Sequence, residues 1–403
     1  MHFWVPGRIE FLGKHTDYAG GRSLLCLVER GIRMTAEPRS DDVVRVRDVR
    51  SNDTVECRFD PELARPRGHW ANYPFTVVRR LARDFPDARI GAELSFESDL
   101  PQAAGMSSSS ALVVAVYMAL AAVNDLENRE TFSSNIRSAE DLAEYVGCIE
   151  GGYPFRSFGG DVGVGTLSGC EDQTAMICGR AGELVRYSFC PVRFEARVPL
   201  PADHSFVVAA SGVVAEKTAS ALEKYNALSR RARAAAEAWR QVSGGSEQTL
   251  ADAISRAGGE AVRQAIGQAR IDGFSAAELQ RRFDQFHEES EVIVPAATAA
   301  LARGDLAEIG TLVDRSQAGA EALLGNQISE TVMLARSARE LGAVAASAFG
   351  AGFGGSVWAL IPSATTGEFA DRWRDAYLHA FPAHRPASQF FTTHAGPPAG
   401  RLE

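Results

Sequence analysis

Four stretches of the sequence concentrate residue types that do chemistry. The first, Gly105-Met106-Ser107-Ser108-Ser109-Ser110, runs straight into an apolar helical pattern that begins near Ser110. A loop of small residues lets backbone approach a ligand, and the first turn of a helix presents unpaired N–H groups at the positive end of its dipole. That is a cradle for phosphate, and the hydroxyls add ligands for a magnesium ion. One serine would serve as a helix cap; four after a glycine point beyond capping. The second stretch is Pro6-Gly7-Arg8 through Gly13-Lys14-His15-Thr16-Asp17-Tyr18. It is not a Walker A loop, because five residues separate Gly7 from Gly13 and His15 stands where Ser or Thr is required. Its Arg, Lys, His, Asp and Tyr form a polar surface suited to the hydroxyl groups of a small substrate. The third, Gly350-Ala351-Gly352-Phe353-Gly354-Gly355, matches G-x-G-x-x-G literally. A helical pattern precedes it and a strand-like run follows, the reverse of the dinucleotide-binding context, so a helix C-cap and tight turn are expected there. The fourth, Ser168-Gly169-Cys170-Glu171-Asp172-Gln173, sets acidic residues after a glycine turn, where one could act as base toward a substrate hydroxyl.

The elements that must hold these stretches follow from periodicity. Alternating or β-branched runs predict strands over Ser23–Glu29, Val43–Val49 and Ile90–Ser98, and helical spacing predicts helices over Asn72–Asp84 and Ala111–Asn124. Strands with helices on one face are therefore expected in the first half. The Ala-, Arg- and Glu-rich stretch Val214–Val242 predicts a long helix, followed by helices over Ser275–His287, Glu291–Arg303 and Glu330–Leu341. Strands over Ser356–Ile361 and Gln389–Thr393 give the second half its own sheet. The boundary is expected within the Pro-containing stretch Arg193–Asp203, dividing residues 1–195 from 196–403, and the residues from Pro397 onward are expected to fray.

Composition narrows the class. With 403 residues, 45% of them hydrophobic and 23% charged, the chain has the material for two folded domains and is too apolar for a disordered protein. Its 42 basic and 51 acidic residues leave a net charge of -9, which repels nucleic acid and anionic membranes. The longest apolar run, Ala111–Val123, falls short of the roughly 18 to 20 residues that a spanning helix needs. No leader pattern opens the sequence, so a cytoplasmic setting is expected. The six cysteines lack C-x-x-C spacing and read as buried small residues, and the eight histidines are dispersed, so no metal cluster is expected.

In this order the segments resemble the galactose, homoserine, mevalonate and phosphomevalonate (GHMP) kinase superfamily, and within it the galactokinase branch. Pro6 to Tyr18 is similar to the galactokinase signature, Pro101 to Ala111 to the ATP-binding serine loop, and Gly350 to Gly355 to the third motif. Trp70-Ala71-Asn72-Tyr73 and Tyr225-Asn226 with Arg230-Arg231 resemble further landmarks. The resemblance implies an α+β, two-domain GHMP kinase fold: an N-terminal domain like the second domain of ribosomal protein S5 and a ferredoxin-like C-terminal domain, with ATP and sugar meeting between them. It implies that Gly105 to Ser110 hold the triphosphate, that Ser109 and Glu150 bind Mg²⁺, and that Asp172 and Arg8 are catalytic. Lys14, His15, Asp17, Gly169, Cys170 and Tyr225 match positions that line the sugar pocket. The implied activity is phosphoryl transfer from ATP to a monosaccharide, at the anomeric hydroxyl, by a monomer or small homo-oligomer. A silent sugar sensor and a kinase for a non-sugar alcohol are the alternatives, and the intact Asp172 and Arg8 argue against the sensor.

The sequence departs from the pattern at several points. Position 14, usually glutamate, is Lys14, and Glu10 replaces the usual Asn. The reversal favours galactose modified at C6, or a related sugar with an acidic group there, unless Lys14 pairs with a local carboxylate such as Glu10. Only a few residues precede the first motif, where galactokinases carry a longer segment, which implies a truncated start or a missing strand. Two extra residues separate Tyr225-Asn226 from Arg230-Arg231.

Overall fold

The computed structural model describes residues 1–101, 105–213 and 219–403. In chain order the strands are β1 (His2–Leu12), β2 (Arg22–Pro38), β3 (Val43–Asp48), β4 (Thr54–Arg58), β5 (Ala92–Ser98), β6 (Glu183–Ser188), β7 (Arg193–Pro199), β8 (His204–Ala210), β9 (Ala345–Phe349), β10 (Ser356–Pro362), β11 (Gln389–Thr393) and β12 (Gly400–Leu402). The helices are α1 (Asn72–Asp84), α2 (Ser108–Val123), α3 (Glu130–Asn135), α4 (Ala139–Gly151), α5 (Glu171–Cys178), α6 (Ala219–Ser243), α7 (Leu250–Ala257), α8 (Gly259–Gln268), α9 (Ala276–His287), α10 (Val294–Arg303), α11 (Leu306–Gly319), α12 (Ser329–Glu340) and α13 (Thr366–Ala380). Residues 102–104 of the serine loop and residues 214–218, where the long helix was expected to start, lie outside the described residues.

The first sheet has the order β12-β1-β2-β5-β3-β4, with β6 and β7 extending from β2. Along β1 side chains alternate between faces. Ile9 and Phe11 enter the core, while Arg8 and Glu10 face the other way, into a cavity. Register shifts interrupt the β1–β2 ladder between Pro6 and Arg8 and again between Glu10 and Leu12. Such bulges re-aim side chains, and these two bracket the polar pair. Helix α2 is nearly all Ala, Val and Leu from Ala111 onward and is buried on almost every side, packed on β1, β2 and α1.

The second sheet is antiparallel with the order β11-β8-β10-β9. Read in chain order, strand β8, the helices α6 to α12, the hairpin β9–β10, helix α13 and strand β11 form an elaborated ferredoxin-like unit. The two sheets share one apolar core. Phe11 of β1 stacks on Trp358 of β10 at 4.4 Å, and Phe206 of β8 meets both rings edge-on. Aromatic pairs of this kind add about 0.5–1.5 kcal/mol each beyond area burial, so they help lock the two sheets together.

Three expectations need correction. Strand β7 pairs with β6, so the first sheet runs past residue 195 to Pro199. The segment after Pro397 is not frayed: Gly400–Leu402 pairs with His2–Trp4. The third glycine segment joins two strands, not a helix and a strand, because α12 ends at Glu340 and β9 intervenes. The six cysteines are unpaired; Cys190 is exposed on the β6–β7 turn and the others are buried or half-buried. Among the described residues no helix is long and apolar enough to cross a membrane.

Candidate active site

A cavity of about 1530 Å³ opens where β1, the serine loop, α5, α6 and the β9–β10 hairpin meet. Its wall contains Arg8, His15, Asp17, Gly105, Ser107 to Ser110, Glu150, Gly169, Asp172, Tyr225, Gly350 and Gly355. It does not contain Lys14, Met106, Cys170, Gly352 or Gly354.

Arg8 is the hub. It is buried, its Nε and Nη2 lie 2.8 Å from Asp172 Oδ1, and its Nη1 donates to the Gly105 carbonyl at 2.6 Å. One planar guanidinium thus ties the base candidate to the mouth of the serine loop, a geometry that a point charge could not supply. Burial alone would lower its pKa, but Asp172, Glu171 and Glu10 outweigh burial and raise it, so the cation is permanent. Asp172 sits in the first turn of α5, where the helix dipole favours a negative charge.

The serine loop meets α2 with Ser107 in the left-handed region at φ 58°, and the helix begins at Ser108. Ser110 differs from the expected phosphate ligand. Its hydroxyl is buried, 3.0 Å from Asp172 Oδ2 and 3.2 Å from Glu150 Oε1, and Gln173 Nε2 donates to the other Glu150 oxygen at 2.6 Å. Gly105 (φ 74°) and Gly350 (φ 79°) lie back to back. A Cβ on Gly350 would come within 2.7 Å of the Gly105 carbonyl, so the hairpin loop braces the serine loop only because both positions lack side chains.

His15 and Asp17 line one end of the cavity. His15 Nε2 is 3.1 Å from the Ala351 carbonyl and Nδ1 is 2.9 Å from Tyr18 Oη. A carbonyl can only accept, so Nε2 carries the proton and Tyr18 donates to Nδ1. Burial, with Arg282 nearby, lowers the His15 pKa to about 3, and the ring is neutral. The Tyr225 ring packs on it at 5.4 Å. Asp17 Oδ2 accepts the Glu171 backbone N–H at 3.3 Å, and a Cβ on Gly169 would collide with that carboxylate. Burial raises Asp17 to about 6 and Glu10 to about 7, and holds Glu171 well above the carboxylate range.

Lys14 turns elsewhere. Its Nζ donates to Ser316 Oγ at 2.8 Å, and Ser316 bonds Glu289 at 2.9 Å. Glu289 Oε1 also accepts the backbone N–H groups of Gly13 and Lys14, while Gln285 and Arg282 donate to the carbonyls of Lys14 and His15. These clamping residues were not singled out from sequence; their partners lie more than 250 positions away and leave no local signal. Two expected landmarks hold one loop. Asn72 donates to the Val164 carbonyl, and Asn226 bonds both the Gly165 carbonyl and the Leu167 N–H, next to cavity-lining Thr166. Trp70, Tyr73, Phe96 and Leu112 give the far end of the cavity an apolar, aromatic wall suited to a flat base.

The chain is similar to several known proteins. The sequence matches the GHMP kinases N terminal domain over residues 72–180, the galactokinase galactose-binding signature over residues 2–38 and the GHMP kinases C terminal over residues 297–379. Galactokinase from Chloroflexus aurantiacus is 31% identical over 52% of this chain, and the match spans about half of that protein's length, 48%. Galactokinase from Roseiflexus sp. is 29% identical over 93% of this chain and 87% of its own length. The fold is that of Lactococcus lactis galactokinase, solved with galactose (TM-score 0.80, 24% identity, 100% of this chain and 95% of that one). It is shared more distantly with Methanococcus jannaschii mevalonate kinase (TM-score 0.59, 12% identity, 98% of each chain). The chain belongs to the GHMP kinase superfamily, as a member of its galactokinase-like branch.

Proposed function

We propose that the protein is an ATP-dependent sugar kinase that transfers the γ-phosphate of ATP to the anomeric hydroxyl of galactose or a close neutral relative. The observation that carries this reading is Asp172: a carboxylate on the cavity wall, paired with buried Arg8 and within one hydroxyl of the helix turn that begins the serine loop's helix. A sugar hydroxyl is a weak nucleophile, and Asp172 accepts its proton as the bond to phosphorus forms. Arg8 keeps Asp172 ionised and offsets negative charge on the transferred group, while the N–H groups of the first turn of α2 bind phosphate oxygens. His15, Asp17, Gly169 and Tyr225 orient the sugar.

Mg²⁺ is commonly held by one or two protein oxygens together with substrate phosphates. Ser109 and Glu150 both border the cavity, a hydroxyl and a carboxylate of the right chemistry, and these two would hold it. When bound, Mg²⁺ offsets phosphate charge. The acidic C6 substituent suggested by Lys14 loses its basis, since that ammonium faces Ser316 while Glu10, Asp17, Glu171 and Asp172 share the wall with Arg8. A cytoplasmic setting and a monomer or small homo-oligomer belong to the same proposal.

An ADP-release assay over a panel of sugars tests the reading. Galactose or a neutral relative is expected to turn over and Asp172→Asn to abolish turnover. Sugar and ATP binding without turnover in the wild type would favour a sensor instead.

A further inference from the structure

Arg282 of α9 is buried behind the loop that carries His15 and Asp17, at 2% exposure. Among the described residues no carboxylate pairs with it; Glu278, one turn back on the same helix, pairs with Arg231. Its partners are neutral. Nη2 donates to the His15 carbonyl at 2.5 Å and to Tyr18 Oη at 3.4 Å, and Nη1 donates to Gln285 Oε1 at 2.6 Å, while Gln285 Nε2 donates in turn to the Lys14 carbonyl at 3.1 Å. A buried cation without a counter-ion is unfavourable, so stability alone is a poor reason for it to stand there. Its position does settle the direction of the protons around His15. A guanidinium only donates, so Tyr18 Oη accepts from Arg282 and turns its own proton to His15 Nδ1, 2.9 Å away; Nε2 keeps its hydrogen and gives it to the Ala351 carbonyl at 3.1 Å. The ionisable groups around the ring are Arg282 from α9, Tyr225 from α6, and Lys14, Asp17 and Tyr18 from its own loop. Burial first, and Arg282 next, keep the ring unprotonated.

We propose that Arg282 is a positioning residue for the sugar, which through Tyr18 fixes the His15 ring in one orientation and one arrangement of protons on the cavity wall. The inference rests on the sugar-kinase reading, in which His15 orients the sugar, and adds to it a residue that acts on that ring from behind. The same chain of donors reaches Ala351, in the hairpin whose Gly350 braces the serine loop, so the loop around His15 and the nucleotide side of the cavity are held in one register.

The test joins imidazole NMR to steady-state kinetics on the full chain. Histidine labelled with nitrogen-15 is incorporated, and the His15 ring signals are identified by their loss in His15→Gln. In the wild type the ring is expected to read as the neutral Nε2–H form at neutral pH. Arg282→Met keeps much of the bulk and removes the donor. It should average the two tautomers and raise the sugar KM about 10- to 100-fold, as loss of a hydrogen bond from a charged group implies, with kcat and the KM for ATP within about threefold of wild type. Tyr18→Phe removes only the hydroxyl that links Arg282 to the ring and should move the tautomer and the sugar KM the same way; it decides the matter if thermal unfolding shows that Arg282→Met does not fold. An Nδ1–H ring in the wild type overturns the inference, and so does a folded variant whose tautomer is unmoved, whatever its KM. Absence of turnover by the wild type with every sugar overturns the kinase reading instead, and the ring signals then still decide whether Arg282 sets the proton on His15.

Discussion

Replacing Ser110 by alanine separates two roles for the end of the serine run. The Ser110 hydroxyl lies 3.0 Å from Asp172 and 3.2 Å from Glu150, and it carries one proton for two carboxylates. A hydrogen bond to a charged group is worth about 1.5–3 kcal/mol. If that bond orients Asp172 through the transition state, the loss appears in kcat, at about 1.4 kcal/mol per factor of ten, as a drop of roughly 10- to 100-fold. The same loss leaves buried carboxylates short of a donor, so stability should fall as well, by about 1–3 kcal/mol. Steady-state kinetics with both substrates varied, alongside thermal unfolding, read the outcome. The expected result is a depressed kcat with KM for sugar and ATP within about twofold of wild type. A wild-type kcat, or a rise confined to KM for ATP, would refute this reasoning and return Ser110 to the phosphate cradle.

Gly169→Ala should displace Asp17, whose carboxylate occupies the space of the new methyl group, and raise the sugar KM about tenfold or more with little change in KM for ATP; an unchanged sugar KM would show that Asp17 does not touch the substrate. Arg8→Lys keeps the charge but loses the fork that spans Asp172 and Gly105, so kcat should fall by about two orders of magnitude, whereas near-normal turnover would mean charge alone suffices. Glu10 and Asp17, raised by burial to about 7 and about 6 from 4.5 and 3.8, hold protons that the unfolded chain has released. Their contribution is full below about pH 4 and is lost as pH rises through 6 to 7, so Glu10 alone should cost about 2 to 3 kcal/mol between pH 5 and 8 in chemical denaturation. Glu10→Gln should flatten that slope. His15, lowered to about 3, runs the other way, its contribution being lost as pH falls below about 6.5.

The helices that the sequence marks best are those whose pattern is one-sided or strongly apolar. Asn72–Asp84 coincides with α1 because its apolar spacing faces one core, and the run from Ala111 has nowhere to lie except inside. Strand β1 is hidden by its own chemistry, since Pro6, Gly7, Arg8 and Glu10 interrupt an apolar run at the bulges where it turns functional. The glycine hairpin is misread because β9 is only five small or apolar residues soon after a helix, too short to register as a strand. The structure brings Arg8, Asp172 and Ser110 into contact, as motif order suggests, while the direction of Lys14 is not legible in the motif. That direction is set by Ser316 and Glu289, residues with no counterpart in the local pattern.

The pairing of β12 with β1 has a consequence for how the chain is made. His2–Trp4 leave the ribosome roughly 400 residues ahead of their partners, Gly400–Leu402. At about 5–20 residues per second, the strand that carries Arg8 waits on the order of a minute with one edge uncovered. A nascent chain therefore exposes a short row of unsatisfied backbone groups that any extended segment could join. Slowing synthesis should lengthen that interval, and with it the opportunity for association between half-made copies.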